Sequence, residues 1–162
     1  MRFDFTARPA TFIERPNRYL VRVLLDGAPI EAHCPDPGRL LELLIPGVTV
    51  WVSPAALRPA PVPLRRTTWD LRFVEHPQGG QLISLDTRFP NRLFEEGVRA
   101  GFFPHFGELT LVAREIPLPV GRSTAPHSRI DFCLHNRAGQ TWWVEVKSVT
   151  LVEQGLALFP DA

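Results

Sequence analysis

Lysine is nearly absent from this 162-residue sequence, which has seventeen arginines and one lysine, Lys147. The chain uses a guanidinium almost everywhere a long cation is needed. The one compact ammonium is either chance or the mark of a place where only that group fits the chemistry. Cysteine is scarce too. Cys34 and Cys133 are too few for a disulfide framework, and no Cys/His spacing fits a zinc site, because His33 and Cys34 are adjacent and the other histidines stand alone. Long apolar runs are missing. The best, Tyr19 to Leu25, is interrupted by Arg22 and is far too short to cross a bilayer. The start, MRFDFTARPA, has neither the basic residues nor the apolar stretch of a leader. A cytoplasmic protein without a membrane segment is the expectation. Charge of one sign is lacking as well, with a formal net of only +1. Residues 1–72 hold ten Arg against seven acids (+3), and residues 73–162 hold seven Arg and one Lys against ten acids (−2). A mildly basic first half suits backbone contacts and an acidic second half suits metal binding, although a mixed solvated surface has the same balance.

What is present is proline and glycine, 28 residues together, which argues for many short strands and turns. Thr11 to Arg15, Tyr19 to Asp26 and Ile30 to His33 read as strands, with Asp26-Gly27 as a hairpin turn. His33 to Gly38 is a constrained loop, Arg39 to Leu44 a helical turn or two ended by Pro46-Gly47, and Val48 to Val52 another strand. Pro54 to Arg66 carries four prolines and reads as irregular. Strands return at Trp69 to Glu75 and Gln81 to Leu85. A small curved β domain over residues 1–80, OB-like in its strand count, accounts for this half. After Asp86 a helix is expected to run to about Ala100 with Asn91 as its cap. Strands follow at Leu109 to Ile116, Arg129 to His135 and Thr141 to Ser148, the last two joined by the turn at residues 136–140.

The last two strands form a hairpin with chemistry in it. Side chains alternate with period two. Ile130, Phe132 and Leu134 share a face, with Val144 and Val146 on an apolar face of the second strand. Asp131, Glu145 and Lys147 can all emerge on the opposite side. Two carboxylates held a few ångströms apart repel unless a cation sits between them, and Mg²⁺ suits that place because it takes oxygen ligands and keeps several waters. A nearby lysine can stabilise charge on a phosphate. That is the equipment for phosphodiester hydrolysis. The alternative is an ordinary polar face of surface ion pairs, since a D…ExK pattern with loose spacing is common. Against it, the acids lie beside Trp142 and Trp143 in the most apolar part of the chain, and the preceding helix offers Glu95 and Glu96, either of which can add a third carboxylate.

The segments RPNRYLVRVLLDG at 15–27, HCPDPGRL at 33–40, PNRLFEEG at 90–97, SRIDF at 128–132 and EVKSVTLVEQGLALFPDA at 145–162 resemble the sugar fermentation stimulation protein family. The similarity runs through nearly the whole chain, and the last segment is far more specific than D…ExK. The resemblance implies a mixed α+β chain: an OB-like β-barrel at residues 1–80, then a PD-(D/E)xK nuclease-like α/β domain at 81–162. It implies DNA binding, and a regulatory role in sugar metabolism has been proposed for members. On the family pattern the metal-site acids are Asp131 and Glu145, the motif lysine is Lys147, and the helix glutamate is Glu96. Relatives continue past FPDA with a basic helical segment and at least one more strand, so the nuclease-like domain is expected to be truncated here. The family's Asn after HCP is Asp36 in this chain, which changes one loop acceptor.

Two functions follow as expectations. In the first the chain is a Mg²⁺- or Mn²⁺-dependent nuclease, with Asp131 and Glu145 as ligands, Lys147 positioning the attacking water and Glu96 holding an outer water. Its phosphate contacts are Arg15, Arg18, Arg22, Arg65 and Arg66, and its partner is double-stranded DNA without strong sequence specificity. In the second it is a DNA-binding regulatory module on the same scaffold without turnover. Phe12, Tyr19 and Trp51 are candidates for stacking on bases, against the commoner fate of core aromatics.

Overall fold

The computed structural model describes residues 2–55, 66–118 and 128–159. Its described residues fall into two compact units, one holding residues up to Thr87 together with those from Val149 onward, the other holding Arg88–Ser148.

Alternating apolar residues build the first unit. In Leu20–Leu25 (β2) Val21, Val23 and Leu25 are buried while Arg22 and Leu24 face solvent. β2 pairs antiparallel with Arg8–Asn17 (β1) on one side and Ala28–His33 (β3) on the other. The β2–β3 turn is the expected one: Asp26 and Gly27 both have positive φ, 52° and 81°, as a type I′ hairpin requires. β1 also pairs with Thr49–Pro54 (β4), β4 with Trp69–Glu75 (β5), and β5 with Leu82–Ser84 (β6). A parallel pairing of β3 with β5, Ala32 to Trp69 and His33 to Asp70, closes the first five strands into a barrel. Order 3-2-1-4-5 with that closure is the OB topology. Phe12, Val21, Val23, Val50, Val52, Leu71 and Val74 fill it, each contributing roughly 1.5–3 kcal/mol of burial for the aliphatic and aromatic side chains.

Two expectations change here. Arg39 to Leu44 forms only a turn. Leu44 and Leu43 donate to the Leu40 carbonyl at 2.8 and 3.1 Å, but Leu40 has φ 54°, a left-handed backbone that a helix cannot start from, and Pro46 blocks extension. The first unit also runs past residue 80, because β6 extends the sheet, Leu85 is in its core and Asp86 bonds to Arg72. The stretch from Val149 adds Leu151–Glu153 (β10) and Leu156–Leu158 (β11), a hairpin on Gln154-Gly155, again with both φ positive.

A buried cation was not foreseen. The Arg72 guanidinium donates to Ser53 Oγ at 2.8 Å, Asp86 Oδ2 at 2.6 Å and Asp70 Oδ2 at 3.1 Å, with the Phe5 ring 4.4 Å from its carbon. It ties β4, β5 and the segment after β6 with two buried carboxylates. Arg15 makes a second brace, donating to the carbonyls of Gly38, Arg39, Arg18 and Asp36 at 2.5–2.9 Å and so holding the loop after β3. Asp36 Oδ1 accepts the Gly38 N–H at 2.7 Å, a bond that an Asn would also make. Beneath that loop burial pushes the Cys34 thiol up; Cys34 and Cys133 are both buried and free.

The second unit is a three-stranded antiparallel sheet of Leu109–Leu118 (β7), Ser128–Asn136 (β8) and Thr141–Val144 (β9), with the helix Phe89–Arg99 (α1). Phe132 and Leu134 of β8 are fully buried beside Val98, and Phe94 lies 5.0 Å from Phe132 between ring centroids. Trp142, Val144 and Val146 pack on the same cluster. The α1 cap is Arg88, with Pro90 in the first turn, so Asn91 is not the cap. β9 ends at Val144 instead of continuing to Ser148. Continued register would set Glu145 directly opposite Asp131, and like charges across a strand pair are unfavourable. Among the described residues no helix is long and apolar enough to cross a membrane.

Removing Arg72 leaves two buried carboxylates without their cation. Arg72→Ala should cost the barrel roughly 3–5 kcal/mol, read as a lowered urea midpoint at unchanged slope. A midpoint equal to that of the parent chain would show that the buried ions are not a support of the fold.

Candidate cation site

Asp131 sits on β8 between half-buried Ile130 and the core residue Phe132, and it is half-buried itself. Its Oδ1 accepts from the Asn91 side-chain amide at 3.1 Å, and its Oδ2 accepts the Val146 backbone N–H at 2.7 Å. The side chain thus replaces the ladder partner that Val146 would have had if β9 had continued. Alternation of exposure persists beyond the strand, so Val144 and Val146 turn to the core while Glu145 and Lys147 turn to solvent. Lys147 Nζ donates to Glu145 Oε1 at 2.5 Å, with the two side chains 56% and 38% exposed. The lysine pKa is raised above its ordinary 10.5, chiefly by that hydrogen bond; desolvation opposes the rise, and the charges of Glu145 and then Asp131 add to it. Lys147 is therefore a fixed cation at neutral pH that feels both carboxylates, suited to stabilising negative charge and unsuited to accepting a proton.

The third carboxylate is placed differently. Glu96 is exposed on α1, and among the described residues no three Asp, Glu, His or Cys side chains gather closely enough to hold a metal ion. Glu95 is only 12% exposed and is paired with Arg99 and with Arg114, which lies over the Phe132 ring. The residue that α1 does bring to Asp131 is Asn91, which sequence reasoning assigned to the cap. The signal was Pro90, which puts Asn91 inside the first turn and leaves its amide available for a tertiary contact.

The arginines divide by what already holds them. Arg15 is the loop brace described above. Arg22 lies between Glu14 and Glu31, at 2.5 and 3.2 Å, across β1, β2 and β3; the hydrogen bond to Glu14 leads the effects that raise its pKa. Arg18 and Arg66 are exposed, as is Arg39, and Arg65 lies outside the described residues.

An OB barrel followed along the chain by a helix and an antiparallel sheet bearing an Asp…Glu-x-Lys group is the class that fold and site define. The SfsA N-terminal OB domain matches residues 13–85, and the sugar fermentation stimulation protein RE domain matches residues 88–162. The chain belongs to the sugar fermentation stimulation protein family. It is 44% identical over 153 residues to a homolog from Moorella thermoacetica, covering 94% of this chain and 60% of that one. A homolog from Desulfitobacterium hafniense is 42% identical over 156 residues, covering 96% and 60%. The chain thus spans about 60% of the length of these relatives. The structure of Pyrococcus furiosus SfsA in complex with Ca²⁺ superposes with a TM-score of 0.78 at 27% identity, over 99% of this chain and 62% of that one.

Because Lys147 is the sole lysine, ¹³C-lysine labelling yields one Cε resonance to titrate. Its midpoint should lie above 10.5 and fall toward that value in Glu145→Gln. The small stability it confers is present below the ordinary pKa and is lost as pH rises through the folded value. An identical midpoint in parent and variant would dissolve the pair.

Proposed function

We propose that this chain binds nucleic acid and carries a divalent-cation site for phosphodiester hydrolysis at Asp131 and Glu145. The observation that carries the reading is the organisation of Asp131, fixed by Asn91 and the Val146 N–H within the charge field of Lys147. The residues fit a partly hydrated hard cation such as Mg²⁺ or Mn²⁺. They are oxygen donors, each Asp131 oxygen has one donor and retains lone pairs, and Glu145 needs only to share an oxygen with Lys147. The Ca²⁺ complex of the Pyrococcus furiosus relative supports a site for hard cations in the family.

A cation held there would polarise a phosphoryl oxygen and activate water. The chain's own residues supply the rest. Asp131 and Glu145 anchor and orient, with a backbone carbonyl near Val146 as a further donor. Lys147 stays protonated and offsets charge that grows on the phosphate oxygens. Asn91 keeps the Asp131 carboxylate from rotating. Glu96 is assigned no direct ligand role, and holding an outer water remains the only part proposed for it. Among the arginines, Arg18 and Arg66 are proposed as phosphate contacts, because Arg15 and Arg22 already have protein acceptors. Double-stranded DNA without strong sequence preference is the proposed substrate, and a regulatory role in sugar metabolism is the proposed setting. The site's two carboxylates, where a third was expected, favour a second reading in which the chain binds DNA and a cation without cleaving.

Calorimetric titration of Mg²⁺ and Mn²⁺, with plasmid cleavage followed on the same samples, tests both readings. The parent should bind and cleave, and Glu145→Gln should do neither. Asn91→Ala should bind the cation about 10–100-fold more weakly, the usual effect of losing a group that orients a ligand. Binding without cleavage selects the second reading, and no binding by the parent removes the site.

A further inference from the structure

The barrel carries an aromatic pair, exposed Tyr19 over half-buried His33, that the proposed cation site does not use. Of the three aromatics considered for base stacking, Phe12 is in the core at 3% exposure, and half-buried Trp51 donates its Nε1–H to Glu75 Oε1 at 3.3 Å. Tyr19 is different. It is the chain's one tyrosine, it is 54% exposed, and its ring lies 16° from parallel with that of His33, centroids 6.3 Å apart.

The backbone beneath this pair is fixed from several sides. The Tyr19 N–H donates to Asn17 Oδ1 at 2.9 Å, and its carbonyl accepts the Cys34 N–H at 2.9 Å. Leu20 pairs with His33 across β2 and β3. The Arg15 guanidinium takes the carbonyls of both Arg18 and Arg39, which brings those two exposed arginines to the same end of the barrel as the ring pair. A large aromatic surface left in solvent on so braced a backbone is expensive as structure and useful as a platform. Two exposed cationic side chains at this end of the barrel favour an anionic ligand, and the ring pair favours one with flat apolar faces.

We propose that Tyr19 and His33 form a stacking platform for an unpaired base of single-stranded nucleic acid, with Arg18 and Arg39 meeting the flanking phosphates. This rests on the reading of the chain as a nucleic-acid binder and adds the form of strand that the barrel takes. Bases in a duplex already have both faces covered by their neighbours, so such a platform discriminates for single strands.

The test is fluorescence anisotropy of a labelled single-stranded oligonucleotide of about ten residues, within the ~4–16 nucleotides that one OB fold spans. The matching duplex is measured beside it, with EDTA present so that nothing is cleaved. Parent, Tyr19→Phe, Tyr19→Ala and His33→Ala chains are compared, each checked for an unchanged melting curve. The expected result is single-strand affinity lowered roughly five- to a hundredfold by Tyr19→Ala and kept by Tyr19→Phe, with duplex affinity unchanged. If Tyr19→Ala melts early, His33→Ala and a photo-crosslink from a bromouracil oligonucleotide, mapped to Tyr19 or His33 in the parent, carry the same decision. Single-strand binding unaltered by Tyr19→Ala, or a crosslink mapping elsewhere, overturns the platform and leaves nucleic-acid binding standing. A parent that binds the duplex alone also overturns only the platform, whereas a parent that binds neither form overturns the wider reading too.

Discussion

One carboxylate, Asp131, holds three segments of the second unit together: its own strand β8, the helix α1 through Asn91, and the chain beyond β9 through the Val146 N–H. The sheet pairing stops at Val144 because this side chain takes over the bond that a ladder would have made. That substitution is what frees Glu145 and Lys147 to turn outward as a pair while Val146 still packs in the core. The proposed cation site is therefore a consequence of how the strand ends. A carboxylate has about four acceptor positions, so two hydrogen bonds orient Asp131 without exhausting it.

The cations show a division of labour that fits their chemistry. Where several acceptors must be met in fixed directions, the chain places a guanidinium: Arg72 on Ser53, Asp70 and Asp86, and Arg15 on four carbonyls. A fork of planar donors does this with little loss of freedom. Beside Glu145, where one compact charge meets one exposed carboxylate, the chain has its single lysine.

Much of the barrel was legible in the sequence, because its signals are local. Alternation in β2 and the Asp26-Gly27 turn fix a hairpin without help from elsewhere. Alternation on a hairpin suggested Asp131, Glu145 and Lys147 as a group; Glu145 and Lys147 are exposed as it implies, whereas Asp131 is half-buried beside its equally half-buried neighbour Ile130. What escaped was non-local. The early end of β9 depends on Asp131, more than ten residues earlier, and the role of Asn91 depends on a contact forty positions away. Arg72 looks like any strand arginine until Asp70, Asp86 and Ser53 converge on it. The turn at Leu40 and the hairpin at Gln154 rest on positive φ at residues whose side chains do not advertise it. The same limit applies to the arginines: identity alone marked Arg15 and Arg22 as phosphate contacts, and only their partners show that each is already engaged.

The most direct test of the account is whether one cation is felt at both ends of the site. Mn²⁺ added to ¹³C-lysine-labelled protein should broaden the single Lys147 Cε resonance saturably, Mg²⁺ should reverse the effect, and Asp131→Asn should abolish it. A Lys147 signal that stays sharp throughout the Mn²⁺ titration, or broadens equally in Asp131→Asn, would mean that Asp131, Glu145 and Lys147 do not form a cation site.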